Sequence, residues 1–102
     1  MTVQEIAKLV DYIKVQCNYQ WIDDNMKIKL SNIIMDGIAY LDNVYGKEND
    51  YTKEGLARSL LVNYVLYAQA NALDDFSKNY KQELLSLNLS GNVSDFVEED
   101  DA

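Results

Sequence analysis

The chain has no proline and only four glycines, at 37, 46, 55 and 91. Its apolar residues recur at steps of three and four and do not alternate, which is the spacing of one helix face. A sandwich or barrel of many short strands needs frequent turn residues that are missing here. The fold class expected is therefore all-α, a small four-helix bundle with an extended acidic C-terminal tail. With 102 residues there is room for one domain and no second. The helical domain is placed at residues 1–88 and the flexible acidic tail at 89–102.

The first helix is predicted from a capping box, Thr2 with Glu5, in which each side chain satisfies an orphan amide at a helix start. Ile6, Leu9, Val10 and Ile13 then follow one face to about Lys14. Gln16 to Ile22, QCNYQWI, breaks the period while staying aromatic and reads as a packed connection. A second helix begins at Asp23 or Asp24, either of which suits a helix N-terminus. Met26, Leu30, Ile33, Ile34, Gly37, Ile38 and Leu41 give it the clearest amphipathic pattern in the chain, and Gly46 is its expected stop. Gly37 inside that helix costs roughly 1 kcal/mol against alanine, which a close helix crossing would offset.

Gly46 to Thr52 is polar and aperiodic, a loop before a third helix capped by Asp50 or Thr52. From Lys53 to about Leu73 the chain is apolar on most sides, as a helix is when neighbours surround it, in its own domain or in an assembly. A fourth helix opens around Asn71 to Asp75, with Leu73, Phe76, Tyr80, Leu84 and Leu87 as its buried stripe. After Asn88 the helical signal fades.

The sequence contains 17 acidic and 9 basic residues and no histidine, a formal charge of −8. Binding DNA through a basic face is disfavoured, because counterion release needs clustered Lys and Arg. Setting aside Asp95, Glu98, Glu99, Asp100 and Asp101 leaves twelve acidic against nine basic residues, so more than half of the net charge lies near the C-terminus. One cysteine, Cys17, permits no internal disulfide and reads as a small apolar residue. No apolar run reaches the roughly eighteen residues of a membrane span, and MTVQEIAKLV lacks the form of a signal peptide, so synthesis in a reducing cytoplasm is expected.

Without histidine, no Ser-His or Cys-His pair can be assembled, and ordinary zinc ligand sets are lacking. No calcium loop and no phosphate-cradling glycine loop is present. Asp23-Asp24 and Asp74-Asp75 sit at helix starts, where capping is favoured over acid-base chemistry. The expectation is no catalytic residue, no cofactor and no metal. Tyr19 with Trp21, and Tyr64 with Tyr67, read as core before recognition surface. Phe96 and Val97, two apolar residues amid carboxylates, read as a docking anchor. The partner-binding residues so marked are Leu89, Asp95, Phe96, Val97, Glu98 and Glu99.

Taken together, the capped first helix, the acidic doublet opening IDDNMKIKLSNIIMDGIAYL, and the run LARSLLVNYVLYAQANALDDFSKNYKQELLSLNL resemble the head-tail connector (adaptor) proteins of tailed bacteriophages. The features that carry the resemblance are Asp23-Asp24, Ile33-Ile34 to Ala39-Tyr40, Leu60 to Tyr67, and Phe76, Tyr80, Leu84 and Leu87, through their order and spacing. The resemblance implies a structural protein of the virion neck, made in the bacterial host cytoplasm. It would form a dodecameric ring of its own copies beneath the portal protein and extend the DNA channel. It would also receive the stopper or tail-completion protein. DNA would pass through the lumen without specific binding, and no membrane would be involved. An acidic ring suits such a conduit, since a channel for a polyanion must not hold it. Two rival readings come from the same composition. One is an acidic DNA mimic or inhibitor of a host protein, which requires carboxylates spread over a folded face. The other is a regulatory adaptor that takes one partner helix in a groove.

Overall fold

The computed structural model describes residues 2–17 and 24–101, with side chains described to Asn92. It has five helices and no strand among the described residues: α1 (Val3–Gln16), α2 (Asp24–Tyr45), α3 (Leu56–Gln69), α4 (Leu73–Asn79) and α5 (Lys81–Asp101). The all-helical class follows the sequence pattern. The number of helices and several boundaries do not.

Helix α1 starts as the sequence dictates. The Glu5 amide donates to Thr2 Oγ1 at 3.1 Å, and the Thr2 amide donates to Glu5 Oε1 at 3.2 Å. Those hydrogen bonds hold the Glu5 carboxyl below its ordinary pKa. Leu9, Val10 and Ile13 are buried, and the helix ends at Gln16. Cys17 follows half-buried, with Sγ 3.8 Å from the Val62 carbonyl, and burial pushes its thiol pKa up. The Tyr19 and Trp21 expectation, and the Asp23 one, lie outside the described residues.

Helix α2 buries Leu30, Ile34, Gly37 and Leu41, one residue per turn, and Gly46 ends it with a φ of 90°, where a side chain would be strained. At Gly37 the expected close crossing is present. A Cβ there would stand 2.7 Å from Leu61 Cδ1 and 2.8 Å from Tyr64 Cδ1 of α3. Helix α3 is the central strut: it packs against α1, α2, α4 and α5, with Leu60, Leu61 and Val65 fully buried.

Helix α3 is shorter than Lys53 to Leu73, and neither Asp50 nor Thr52 caps it. Its start follows Gly55 without a side-chain cap. The reason lies in Tyr51, which is buried among core residues and draws residues 46–55 across α2 before the helix can begin. Asp50 instead accepts a hydrogen bond from the Thr52 amide at 2.9 Å, a side-chain-closed turn inside the loop. At the other end Asn71 adopts φ 56°, the Ala72 amide donates to the Tyr67 carbonyl at 2.8 Å, and the Asn71 amide donates to the Ala68 carbonyl at 3.1 Å. This paired closure is the Schellman arrangement with asparagine in the usual glycine position.

The single fourth helix divides in two. At Tyr80 the α4 backbone leaves helical geometry, and α5 restarts with the Leu84 amide donating to the Tyr80 carbonyl. Tyr80 is held by its ring, stacked 5.1 Å from Phe76, and by its hydroxyl, which donates to Asn63 Oδ1 at 2.9 Å. Leu73, assigned to the buried stripe, is instead 39% exposed, while Phe76, Leu84 and Leu87 are buried. Asp74 and Asp75 stand in the first turn of α4, after Ala72, and so meet the helix dipole without capping it.

The C-terminal segment differs most from expectation. The boundary at Asn88 is not a structural one, because α5 continues as helix through Leu89 and on to Asp101. Gly91, which lies in the segment expected to be tail, is buried in the helix against the end of α2. A Cβ at this position would fall 2.0 Å from the Tyr45 carbonyl oxygen, so only glycine lets the two backbones meet. One turn earlier, Asn88 Nδ2 donates to the Val44 carbonyl at 2.9 Å and satisfies an orphan acceptor of the α2 C-terminus.

Candidate functional site

The residues marked for partner binding all belong to α5, which buries Leu84 and Leu87 and turns its other side to solvent. On that outer side Leu85 is 56% exposed and Leu89 is 51% exposed, one turn apart. Among the described residues, this helix packs through its opposite side, by Leu84, Leu87 and Gly91. Asp95, Phe96, Val97, Glu98 and Glu99 lie on the helical backbone beyond, their side chains outside the described residues. Helical geometry therefore places Leu89 and these five positions on one continuous helix, in place of the extended, flexible tail expected from the sequence.

Two further sites were not legible from spacing. In the first, residues 46–55 are latched to α2 by a half-buried polar network. The Tyr51 hydroxyl donates to Asp42 Oδ1 at 2.6 Å, the Asn49 amide donates to the same oxygen at 3.1 Å, and Asn49 Nδ2 reaches it at 2.9 Å. Burial is the main cause that raises the Tyr51 phenol far above its ordinary pKa, and its bond to Asp42 adds to this. The arrangement fixes the loop and leaves no free base. It is a structural clamp.

In the second, Arg58, the one arginine of the chain, lays its guanidinium 4.1 Å from the centroid of the Tyr12 ring and meets Glu54 at 4.0 Å. A cavity of about 430 Å³ beside it is bounded by Glu5, Lys8, Tyr51 and Thr52. Arg58 is paired with Glu54 and its face is already occupied by the Tyr12 ring, so the Arg58–Tyr12 pair joins α1 to α3.

Tyr64 and Tyr67 are half-buried on Phe76, which also meets Tyr40 and Tyr80, with centroid distances from 5.1 to 6.2 Å around it. These rings are the hydrophobic seam of α2, α3 and α4, as read from the sequence. Burial raises the Tyr64 phenol pKa. Among the described residues, no three His, Cys, Asp or Glu side chains are grouped to hold a metal ion, and no helix is long and apolar enough to cross a membrane.

Comparison with protein-family models, with curated proteins and with solved structures finds no match to this chain.

Proposed function

We propose that this chain is a structural protein of the virion neck, a head-tail connector that forms a ring beneath the portal protein, extends the DNA channel and receives the stopper or tail-completion protein. The observation that carries the reading is the outer face of α5. Leu85 and Leu89 stand exposed on a helix that leads into an acidic end containing Phe96 and Val97, an apolar anchor with a charged surround. This supports docking of that end, Leu89 with Asp95, Phe96, Val97, Glu98 and Glu99, on the portal. In this reading residues 1–88 act as the body, a four-helix bundle if α4 and the start of α5 count as one broken helix, and 89–102 act as the docking tail. The order and spacing of the helical segments, which resemble the connector proteins, supply the rest of the argument. A ring whose subunits each carry −8 would repel the DNA passing through it.

The test is native mass spectrometry of the protein alone and after co-expression with the portal protein of its own genome. The reading expects monomers alone and a dodecameric ring of this chain on the portal. A monomer or dimer in both samples overturns it and favours the acidic inhibitor of a host protein.

A further inference from the structure

Helix α1 buries Leu9, Val10 and Ile13, and toward its N-terminus Ile6 is only partly buried against the core. Two cavities of about 210 and 250 Å³ lie side by side between the helices with Ile6 in the wall of both, and their α2 linings fall on one stripe of that helix, Lys27, Ser31, Met35, Ile38 and Asp42, so together they mark a groove along α2. The floor is apolar. Val3, Ile6 and Ala7 line it from α1, and Met35, Ile38 and Ala39 line it from α2. Val3 is 84% exposed and Met35 53% exposed, although each stands on a helix whose opposite face is core. Along α2 the groove runs from Lys27 to Asp42, roughly 22 Å at a rise of about 1.5 Å per residue, or four turns of a helix.

The rim is acidic on balance: among the described lining residues, Asp42 and Glu48 edge one end, and Asp11 shares the other with Lys27. An apolar trough of this length with a carboxylate rim fits a helix with an apolar stripe and basic flanks. It disfavours the acidic end of a second copy of this chain, whose carboxylates would face those of the rim. The net charge of −8 would also speed encounter with a cationic partner. We propose that the α1–α2 groove is a docking site for an amphipathic helix of a partner protein, apolar on one face and rich in Lys or Arg on its flanks. This surface is separate from the outer face of α5, and the proposal stands whether or not the chain is a connector.

The test uses the 102-residue chain, isotopically labelled, and a synthetic helical peptide of about fourteen residues, four turns at about 3.6 residues per turn, built from leucines on one face and lysines on the flanks. Amide shifts on binding are expected to cluster on Val3 to Asp11 and on Lys27 to Asp42. Met35→Glu is expected to weaken binding about tenfold, because it places a charge in the apolar floor. Attraction by charge alone would instead be strengthened by the added carboxylate. Glu48→Lys, at an exposed rim position, is expected to weaken binding about threefold and to flatten its salt dependence. Unaltered melting of both variants, checked by circular dichroism, separates lost docking from lost folding. The proposal is overturned by any of three results: Met35→Glu binds as well as or better than the natural chain, the shifts fall only on residues 95–101, or groove amides move with protein concentration in the absence of peptide, which would mean that a second copy covers the groove.

Discussion

Helix α2 is crossed closely at two glycine-dependent places, and the two are unlike in what stands across the gap. At Gly37 the neighbours are side-chain atoms of α3, Leu61 Cδ1 and the edge of the Tyr64 ring. At Gly91 the neighbour is the backbone of α2 itself, the Tyr45 carbonyl oxygen 2.0 Å from where a Cβ would lie. A side chain can rotate a few tenths of an ångström, whereas a carbonyl at a helix end moves only if the helix does. The first crossing is a matter of packing, and the second sets how near α5 can come.

The largest effect is expected from Gly91→Ala. It should lower stability by about 2 to 3 kcal/mol despite the helix preference of alanine, and denaturant titration measures this directly. Next comes the clamp that lies over α2 between the two crossings. Tyr51→Phe should cost about 1 to 2 kcal/mol by removing the hydroxyl from Asp42. Because the phenol pKa is raised in the folded protein, its contribution is complete below the unfolded value near 10 and is lost as pH rises above it. Thermal melts of the natural chain should therefore fall steeply on the alkaline side, and those of Tyr51→Phe less so.

Gly37→Ala should cost at most about 1 kcal/mol, since the gain in helix propensity offsets much of the crowding against Leu61 and Tyr64. If it destabilised more than Gly91→Ala, the contrast drawn between side-chain and backbone neighbours would be reversed. Asn88→Ala should cost about 0.5 kcal/mol, because water can replace the lost donor at this exposed carbonyl. Smallest of all, deleting Asp95 to Ala102 should leave the melting point of the body within the effect of an ordinary surface change, about 0.5 kcal/mol, while weakening portal binding. Unchanged portal binding by the shortened chain would refute the docking role of that segment.

Much of α1 and α2 is readable directly. The Thr2–Glu5 capping box, the buried steps from Leu30 to Leu41, the stop at Gly46 and the crossing at Gly37 all depend on residues within a few turns of each other. Three features were not readable in this way. Tyr51 stands in a polar loop with no period, and only its meeting with Asp42 shows it to be core. Tyr80 keeps the helical spacing of its neighbours, yet Phe76 and Asn63 hold it where the helix breaks. Gly91 has the composition of a breaker and is an inter-helix contact. Of the candidate site, the structure gives the exposure of Leu89 and the helical backbone of the five positions beyond it. The α1–α2 groove has no signature in spacing at all, because Val3 and Met35 match their helices' patterns whether or not something covers them.

By itself, the sequence determines that this chain is helical, how its first helix is capped, where its second one stops, and how its charge is distributed, since these follow from local hydrogen bonding, apolar period and side-chain ionisation; it ends α1 near Lys14, whereas that helix runs on to Gln16. Tertiary structure decides the break at Tyr80, the reach of α5 past Asn88, the clamp of the 46–55 loop and the acid-rimmed groove. Each of these depends on which distant atoms come within a few ångströms, and a helix period leaves that choice open until the helices pack.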